Sequence, residues 1–259
     1  MEIRARLSRR VRLWIEQVFA CKNVSGGQTL KLVKLVIFDI TGTIIEDHGE
    51  VVFCFARALK KNGVPVEEND LREWKGASKR EVIRCFVEKQ FGSAQHTLDE
   101  RVNLIFTDFR QLLEEQYRRS GIVPIQRAET TFRWLRDHNI SIATTTGFDR
   151  EINDLVLKTV GWQQIFTNDV CSTDVPLGRP APFMIFHAME AAKVTDVSEV
   201  INIGDTPLDL QAGANAGVRG VIGVLTGAHT EERLRRERHT HILRSVADLP
   251  SVLQTDFGL

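Results

Sequence analysis

Short, wholly apolar runs alternate along the chain with longer segments whose apolar residues recur every three or four positions. Leu35-Val36-Ile37-Phe38 runs straight into Asp39 and a turn containing Gly42. An apolar run bounded by turn signals predicts a strand buried on both faces. Asp39 then stands at the carboxyl end of that strand, the edge where open parallel sheets bind ligands. The same pattern predicts strands over Ile140 to Thr144, Val200 to Ile203, Val221 to Leu225 and His239 to Leu243, with a short strand following Ile165-Phe166. Helical spacing governs the rest. Val52, Phe55, Ala56 and Leu59 form a stripe that ends at Asn62-Gly63, a helix stop. Further helices are expected over Glu67 to Trp74, Ala77 to Phe91, Leu98 to Ser120, Ala128 to His138, Phe183 to Ala192 and Glu231 to Arg238. No strand signal occurs between about residues 46 and 125.

Composition narrows the class. At 259 residues the chain can bury a sizeable core. Lys+Arg and Asp+Glu are each 34, so the net charge is zero and the chain as a whole does not favour nucleic acid. No apolar run approaches the ~20 residues of a membrane span. Four cysteines, Cys21, Cys54, Cys85 and Cys171, lack CxxC spacing and suggest reduced thiols in a cytoplasmic protein. Residues 1–30 stand apart as a basic extension. Arg4, Arg6, Arg9, Arg10 and Arg12 accompany Ile3, Leu7, Val11, Trp14 and Val18 at helical spacing, and Ser25-Gly26-Gly27 reads as a linker. A packed helix, a surface for membrane or an acidic partner, and an organellar targeting segment are the readings of that extension.

Four motifs carry chemistry. The first is Asp39-Ile40-Thr41-Gly42-Thr43 after its strand. The second is Thr144-Thr145-Thr146-Gly147-Phe148-Asp149-Arg150, a strand end opening into a helix whose N-terminus can hold an anion. The third is Gly178-Arg179-Pro180-Ala181-Pro182, a cation in a turn stiffened by proline. The fourth, Gly204-Asp205-Thr206-Pro207-Leu208-Asp209, places two acids near a helix start with proline in its first turn. A His239-x-His241 pair is a weak metal motif without further ligands.

In this order the four motifs resemble those of the haloacid-dehalogenase superfamily. Gly76-Ala77-Ser78-Lys79-Arg80-Glu81-Val82-Ile83-Arg84 looks like the cap segment of its phosphonatase-like hydrolases. The resemblance implies an α/β fold with a doubly wound, Rossmann-like parallel sheet core over 31–45 and 126–259, and an all-helical cap inserted at 46–125. It implies a hydrolase in which Asp39 attacks phosphorus to give an aspartyl-phosphate. Mg2+ would be held by Asp39, the Thr41 carbonyl and Asp205, with Asp209 orienting that shell or ligating through water. Thr146, Gly147 and Arg179 would bind the phosphoryl group. Lys79 matches a lysine that forms a Schiff base with a substrate aldehyde, chemistry favoured when desolvation lowers a lysine pKa.

Three departures bear on the substrate. Thr41 stands where most haloacid-dehalogenase phosphatases have an acid that protonates the leaving group, and Val82 stands where the phosphonatase pattern has histidine. Lys75 replaces a methionine of that pattern. Thr41 with Lys79 favours cleavage of a P–C bond in a small phosphonate. The alternatives are a phosphate-monoester phosphatase and a weakly active or non-catalytic binding protein on the same fold. The expected partner is a small phosphonate or phosphorylated substrate, and an apolar cap helix offers a surface through which two subunits could pair.

Overall fold

The computed structural model describes residues 32–93 and 95–259; the expected basic helix, its linker and Cys21 lie outside them. Six parallel strands form one sheet: β1 (Leu35–Phe38), β2 (Ser141–Thr146), β3 (Asn168–Cys171), β4 (Val200–Gly204), β5 (Gly220–Val224) and β6 (His241–Leu243), in the order β3-β2-β1-β4-β5-β6. Leu35 lies opposite Ser141 on one side and Val200 on the other, and Phe38 lies opposite Thr144 and Ile203. The order reverses between β1 and β4, so a crevice opens past their carboxyl ends. Asp39 and Asp205 are the first residues beyond those two strand ends.

Alternation along β1 explains why both sheet faces are covered. Leu35 and Ile37 face one layer, with Met184, Ile185 and Ala188 of α7 (Phe183–Ala191) and Leu210 of α8 (Pro207–Ala216). Val36 and Phe38 face the other, with Phe132 and Leu135 of α5 (Ala128–Asp137) and Leu249 and Leu253 of α10 (Leu249–Asp256). The Phe38 and Phe132 rings meet edge to face at 5.5 Å, and Trp162 meets Phe132 at 5.2 Å. The remaining core helix, α6 (Arg150–Thr159), is capped by Asp149, which accepts from the Ile152 N–H.

Between β1 and α5 the described chain is helical. It forms α1 (Glu50–Lys61), α2 (Glu68–Arg72), α3 (Lys79–Phe91) and α4 (Gln95–Ser120). These pack on one another through the predicted stripes: Phe55 of α1 meets Phe109 of α4 edge to face at 5.1 Å. Lys61 and Asn62 close the top of α1 onto Asp108, each donating at 2.7 Å. The chain enters and leaves this layer through adjacent segments, with Glu46 N–H donating to Val123 O and Ile125 N–H to Ile44 O.

Local departures from the sequence reading have simple causes. The helix after β5, α9 (Glu231–Leu234), ends early because no apolar side chain follows Leu234 before Ile242 to hold another turn. The last strand is correspondingly short, and His239 falls outside it. The two imidazoles are separately engaged: His239 Nδ1 with Glu237 O at 2.7 Å, His241 Nε2 with Asp256 Oδ2 at 2.9 Å.

Candidate active site

Asp39 is buried at the crevice, and its Oδ1 accepts from Arg179 Nη1 at 2.6 Å. The guanidinium is fixed from behind. Its Nη2 donates to the Thr145 carbonyl at 2.8 Å and to Thr145 Oγ1 at 2.6 Å, while Nη1 stands 2.8 Å from Asp209 Oδ1. Asp209 is held by the helix start it caps: Thr206 N–H and Oγ1 donate to its Oδ2 at 3.0 and 2.6 Å. This reciprocal cap is why a Thr-Pro-Leu-Asp sequence at the start of α8 aims a carboxylate at the sheet edge. Asp205 accepts from the Ala228 N–H at 3.1 Å. The Thr43 hydroxyl lies 3.3 Å from Asp205 Oδ1 and 3.5 Å from Asp39 Oδ2 and can donate to one of them. Close approach is permitted by glycine: a Cβ at Gly204 would fall 2.2 Å from Asp209 Cγ, and one at Gly227 only 1.9 Å from Asp205 Oδ2.

Asp39, Asp205 and Asp209 each bring a carboxylate oxygen within 4.8 Å of the others. One guanidinium faces three acids, so negative charge is in excess. Burial pushes the Asp39 carboxyl up to about 6; Arg179 pulls it down and the Asp209 charge adds to the rise. Burial, then the charges of Asp39 and Asp209, hold Asp205 well above the usual carboxylate range. Asp209 Oδ1 pairs with Arg179 by proximity alone, without hydrogen-bond alignment. An oxygen-rich, electron-excess cluster of this kind fits a hard divalent cation such as Mg2+, which would relieve the strain between the carboxylates.

The helical layer closes over this edge. Lys79, the first residue of α3, is buried, and its Nζ donates to the Ala77 carbonyl at 2.9 Å. Burial lowers its ammonium to about 8, with Asp39 opposing the shift and Arg179 and Lys75 assisting it. Ser78 caps α3, and Glu81 Oε1 lies 3.4 Å from the Gly178 N–H beside Arg179. Gly147 passes so near the Gly76-Ala77 turn that a Cβ there would lie 2.5 Å from Ala77 O.

Asp39, Thr41, Lys79, Thr146, Gly147 and Asp205 line one cavity. Its other wall is mostly apolar, with Val51, Val52, Phe55, Leu71, Trp74 and Phe148. Arg179 and Asp209 lie outside the wall; Arg179 reaches the site through Asp39, and Asp209 through Arg179 and the wall residue Thr206. Thr146 Oγ1 accepts from the Phe148 N–H at 3.1 Å, which leaves its own proton free to meet an anion. Thr41 Oγ1 is buried with no well-formed hydrogen bond, although the Tyr117 phenol is close by. Val82 is buried in the helical layer. Sequence reasoning passed over Thr43, Thr145, Thr206 and Asp47. Thr145 is the middle of three threonines, and only the alternation along β2 separates its role from that of Thr146.

A doubly wound sheet with a helical insertion after β1 and an acid–guanidinium cluster at the switch point defines a hydrolase of the haloacid-dehalogenase type. The sequence profile of the haloacid dehalogenase-like hydrolases matches residues 33–217, more than half of the chain, and the chain belongs to that family. Within it, the chain is 33% identical over 197 residues to the phosphonoacetaldehyde hydrolase of Latilactobacillus sakei, covering 72% of this chain and 73% of that one. It is 29% identical over 256 residues to the phosphonoacetaldehyde hydrolase of Lactiplantibacillus plantarum, covering 85% of this chain and 95% of that one. The crystal structure of a phosphonoacetaldehyde hydrolase-like protein from Oleispira antarctica superposes with a TM-score of 0.75, at 20% identity, over 89% of this chain and 95% of the other. That last likeness carries the fold. Among the described residues no helix is long and apolar enough to cross a membrane.

Proposed function

We propose that this hydrolase cleaves the P–C bond of a small phosphonate that carries a carbonyl group next to the cleaved carbon. The observation that supports it best is that a buried lysine, Lys79, and a buried aspartate, Asp39, line the same cavity, with threonine in place of a leaving-group acid at position 41.

The residues divide the work. Lys79, its proton loosened by burial, is a nucleophile for the carbonyl carbon. Amine and carbonyl lose water to give an imine, whose protonated form can accept the electron pair of the breaking P–C bond. Asp39 attacks phosphorus, the P–C electrons move into the iminium to give an enamine, and the phosphoryl group is held as an aspartyl-phosphate. The enamine carbon takes up a proton. Water then hydrolyses the imine, freeing Lys79 and the dephosphonylated carbonyl product, and a second water hydrolyses the acyl-phosphate. No acid at position 41 is needed, because the leaving group departs as an enamine rather than an alkoxide. The Thr146 hydroxyl faces the charge on the phosphoryl oxygens, and Arg179, kept in place by Asp209 and Thr145, acts on the site through Asp39. Asp39, Asp205 and the Thr41 carbonyl would hold Mg2+, with Asp209 supporting that shell. When bound, the ion neutralises phosphoryl charge that otherwise repels a carboxylate nucleophile.

A phosphate-monoester phosphatase is the second reading, favoured by Val82, which cannot move a proton beside Lys79. Mg2+-dependent turnover of phosphonoacetaldehyde and of alkyl phosphates, with borohydride trapping of an imine at Lys79, separates the two. Full activity of Lys79→Ala on the phosphonoaldehyde would overturn the first.

A further inference from the structure

The cavity contains a second charged pair that the mechanism above does not use. Lys75 Nζ lies 2.5 Å from Asp47 Oδ2, with the two side chains 16% and 5% exposed. Asp47 Oδ1 also accepts from the Gly49 N–H at 2.9 Å. Both residues line the wall that holds Asp39 and Lys79, among Val51, Val52, Leu71 and Trp74.

A partly buried ion pair is weak as a stabilising device, since hydrocarbon of similar volume in such a place is often neutral or stabilising. Here it leaves a polar spot in an apolar wall. The ammonium has three donors, and Asp47 accepts one of them; the carboxylate oxygens keep further acceptor capacity. A hydroxyl satisfies both partners, donating to Asp47 and accepting from Lys75. A carboxylate would be repelled by Asp47, an ammonium by Lys75, and a methyl group would leave their remaining hydrogen-bonding capacity unused. The electrostatic neighbours of Lys79 include Asp39 and Arg179 as well as Lys75 and Asp47. Lys79 therefore senses both the Asp39–Arg179 pair and the Asp47–Lys75 pair, and Asp205 has Asp47 among its electrostatic neighbours as well.

We infer that Asp47 and Lys75 form a specificity-determining pair that selects substrates bearing, besides the phosphorus group and the carbonyl, a hydroxyl group that both residues can meet. The inference rests on the cavity being the substrate site with phosphorus at Asp39; it does not depend on whether the P–C or a P–O bond is cleaved.

Two compounds that differ by one oxygen test it: 3-hydroxy-2-oxopropylphosphonate and 2-oxopropylphosphonate. Their binding is measured by calorimetry in Mg2+ with the Asp39→Asn chain, which prevents turnover. The hydroxylated compound is expected to bind at least about tenfold tighter, because a site that hydrogen-bonds a hydroxyl discriminates strongly against the analogue lacking it. In Asp39→Asn with Asp47→Leu and Lys75→Met the two affinities should agree within about twofold. Asp47→Asn with Lys75→Gln, uncharged and of similar shape, is a second route should the apolar variant not fold, and it should lower the preference at least about fivefold. Equal affinity in the Asp39→Asn chain, no binding of either compound, or a preference that survives both substitutions overturns the inference. Turnover by the unsubstituted chain is read separately on the two phosphonates and on the phosphate esters of the same carbon skeletons. Hydrolysis of the esters alone, with the hydroxyl preference intact, would refute P–C cleavage and leave the role of Asp47 and Lys75 standing.

Discussion

Replacing Lys79 by methionine should stabilise the protein while removing imine chemistry. Burial brings the Lys79 ammonium from 10.5 down to about 8. Between those two values the unfolded chain binds more protons at this side chain than the folded one. Its contribution to stability therefore rises with pH across that window and is least favourable below it. The cost is about 3 kcal/mol at pH 7 and about 2 kcal/mol at pH 9. Methionine fills a similar volume without charge. The substitution also loses the 2.9 Å bond from Nζ to Ala77 O, worth about 1 kcal/mol. The net expectation at pH 7 is a gain of about 2 kcal/mol, or about 4 °C in melting temperature for a chain of this size. At pH 9 the gain should shrink to about 1 kcal/mol. Denaturant melts and calorimetry at the two pH values measure both figures, and borohydride trapping should fall to background. A Lys79→Met protein less stable than its parent at pH 7, or a stability difference that does not change with pH, would refute the argument that an unfavourably buried ammonium is held at this place.

Thr41→Asp should raise kcat/KM on alkyl phosphate esters by at least about tenfold, since a positioned acid contributes about 10²–10⁴ where an alkoxide must leave; no gain in a steady-state assay would count against the role given to this position. Asp39→Asn should abolish Mg2+-dependent trapping of beryllofluoride and reduce turnover at least about a thousandfold. Saturating Mg2+ at about 100 times its Kd should add about 2.7 kcal/mol to stability, and Asp205→Asn should remove that increment; an unchanged Mg2+ shift in Asp205→Asn would exclude Asp205 as a ligand. Gly76→Ala meets Thr206 Oγ1 at 2.7 Å from a backbone with φ of +81°, so it should cost about 1–2 kcal/mol and lower kcat by displacing the hydroxyl that holds Asp209.

What the sequence made legible follows from how local each signal is. Leu35 to Phe38 announces a buried central strand because every residue is apolar, and Asp39 is the one acid at its end. Asp205 and Asp209 are legible because Pro207 and Thr206 fix the start of a helix between them. Thr145 was not, because its contact with Arg179 depends on which face of β2 points to the Gly178–Pro182 turn. Asp47 and Lys75 are separated by 28 positions; Lys75 is legible as a departure from the family pattern, but Asp47 alone reads as a solvated charge and nothing in the sequence joins the two. Only the fold, which brings the segment before α1 and the turn after α2 to one cavity wall, makes them a pair. The early end of α9 was likewise hidden, since Arg235 and Arg236 pair with Glu231 and Glu232 and imitate a continuing helix.

Contacts between the helical layer and the sheet tie the burial of Lys79 to the carboxylate cluster. Lys79 sits at the start of a helix whose capping turn, Gly76-Ala77-Ser78, lies against Gly147 and Thr206 of the core. Those core residues adjoin the phosphoryl-binding candidate Thr146 and the acids Asp205 and Asp209. The same approach that buries Lys79, and so frees its amine near pH 8, also brings the helical layer onto the carboxylate cluster. If the layer opened, Lys79 would regain water and a fully charged ammonium, and the cluster would lose its cover. Lowering of the Lys79 pKa is therefore coupled to closure over the carboxylate cluster, and the proposed imine chemistry would depend on that closure.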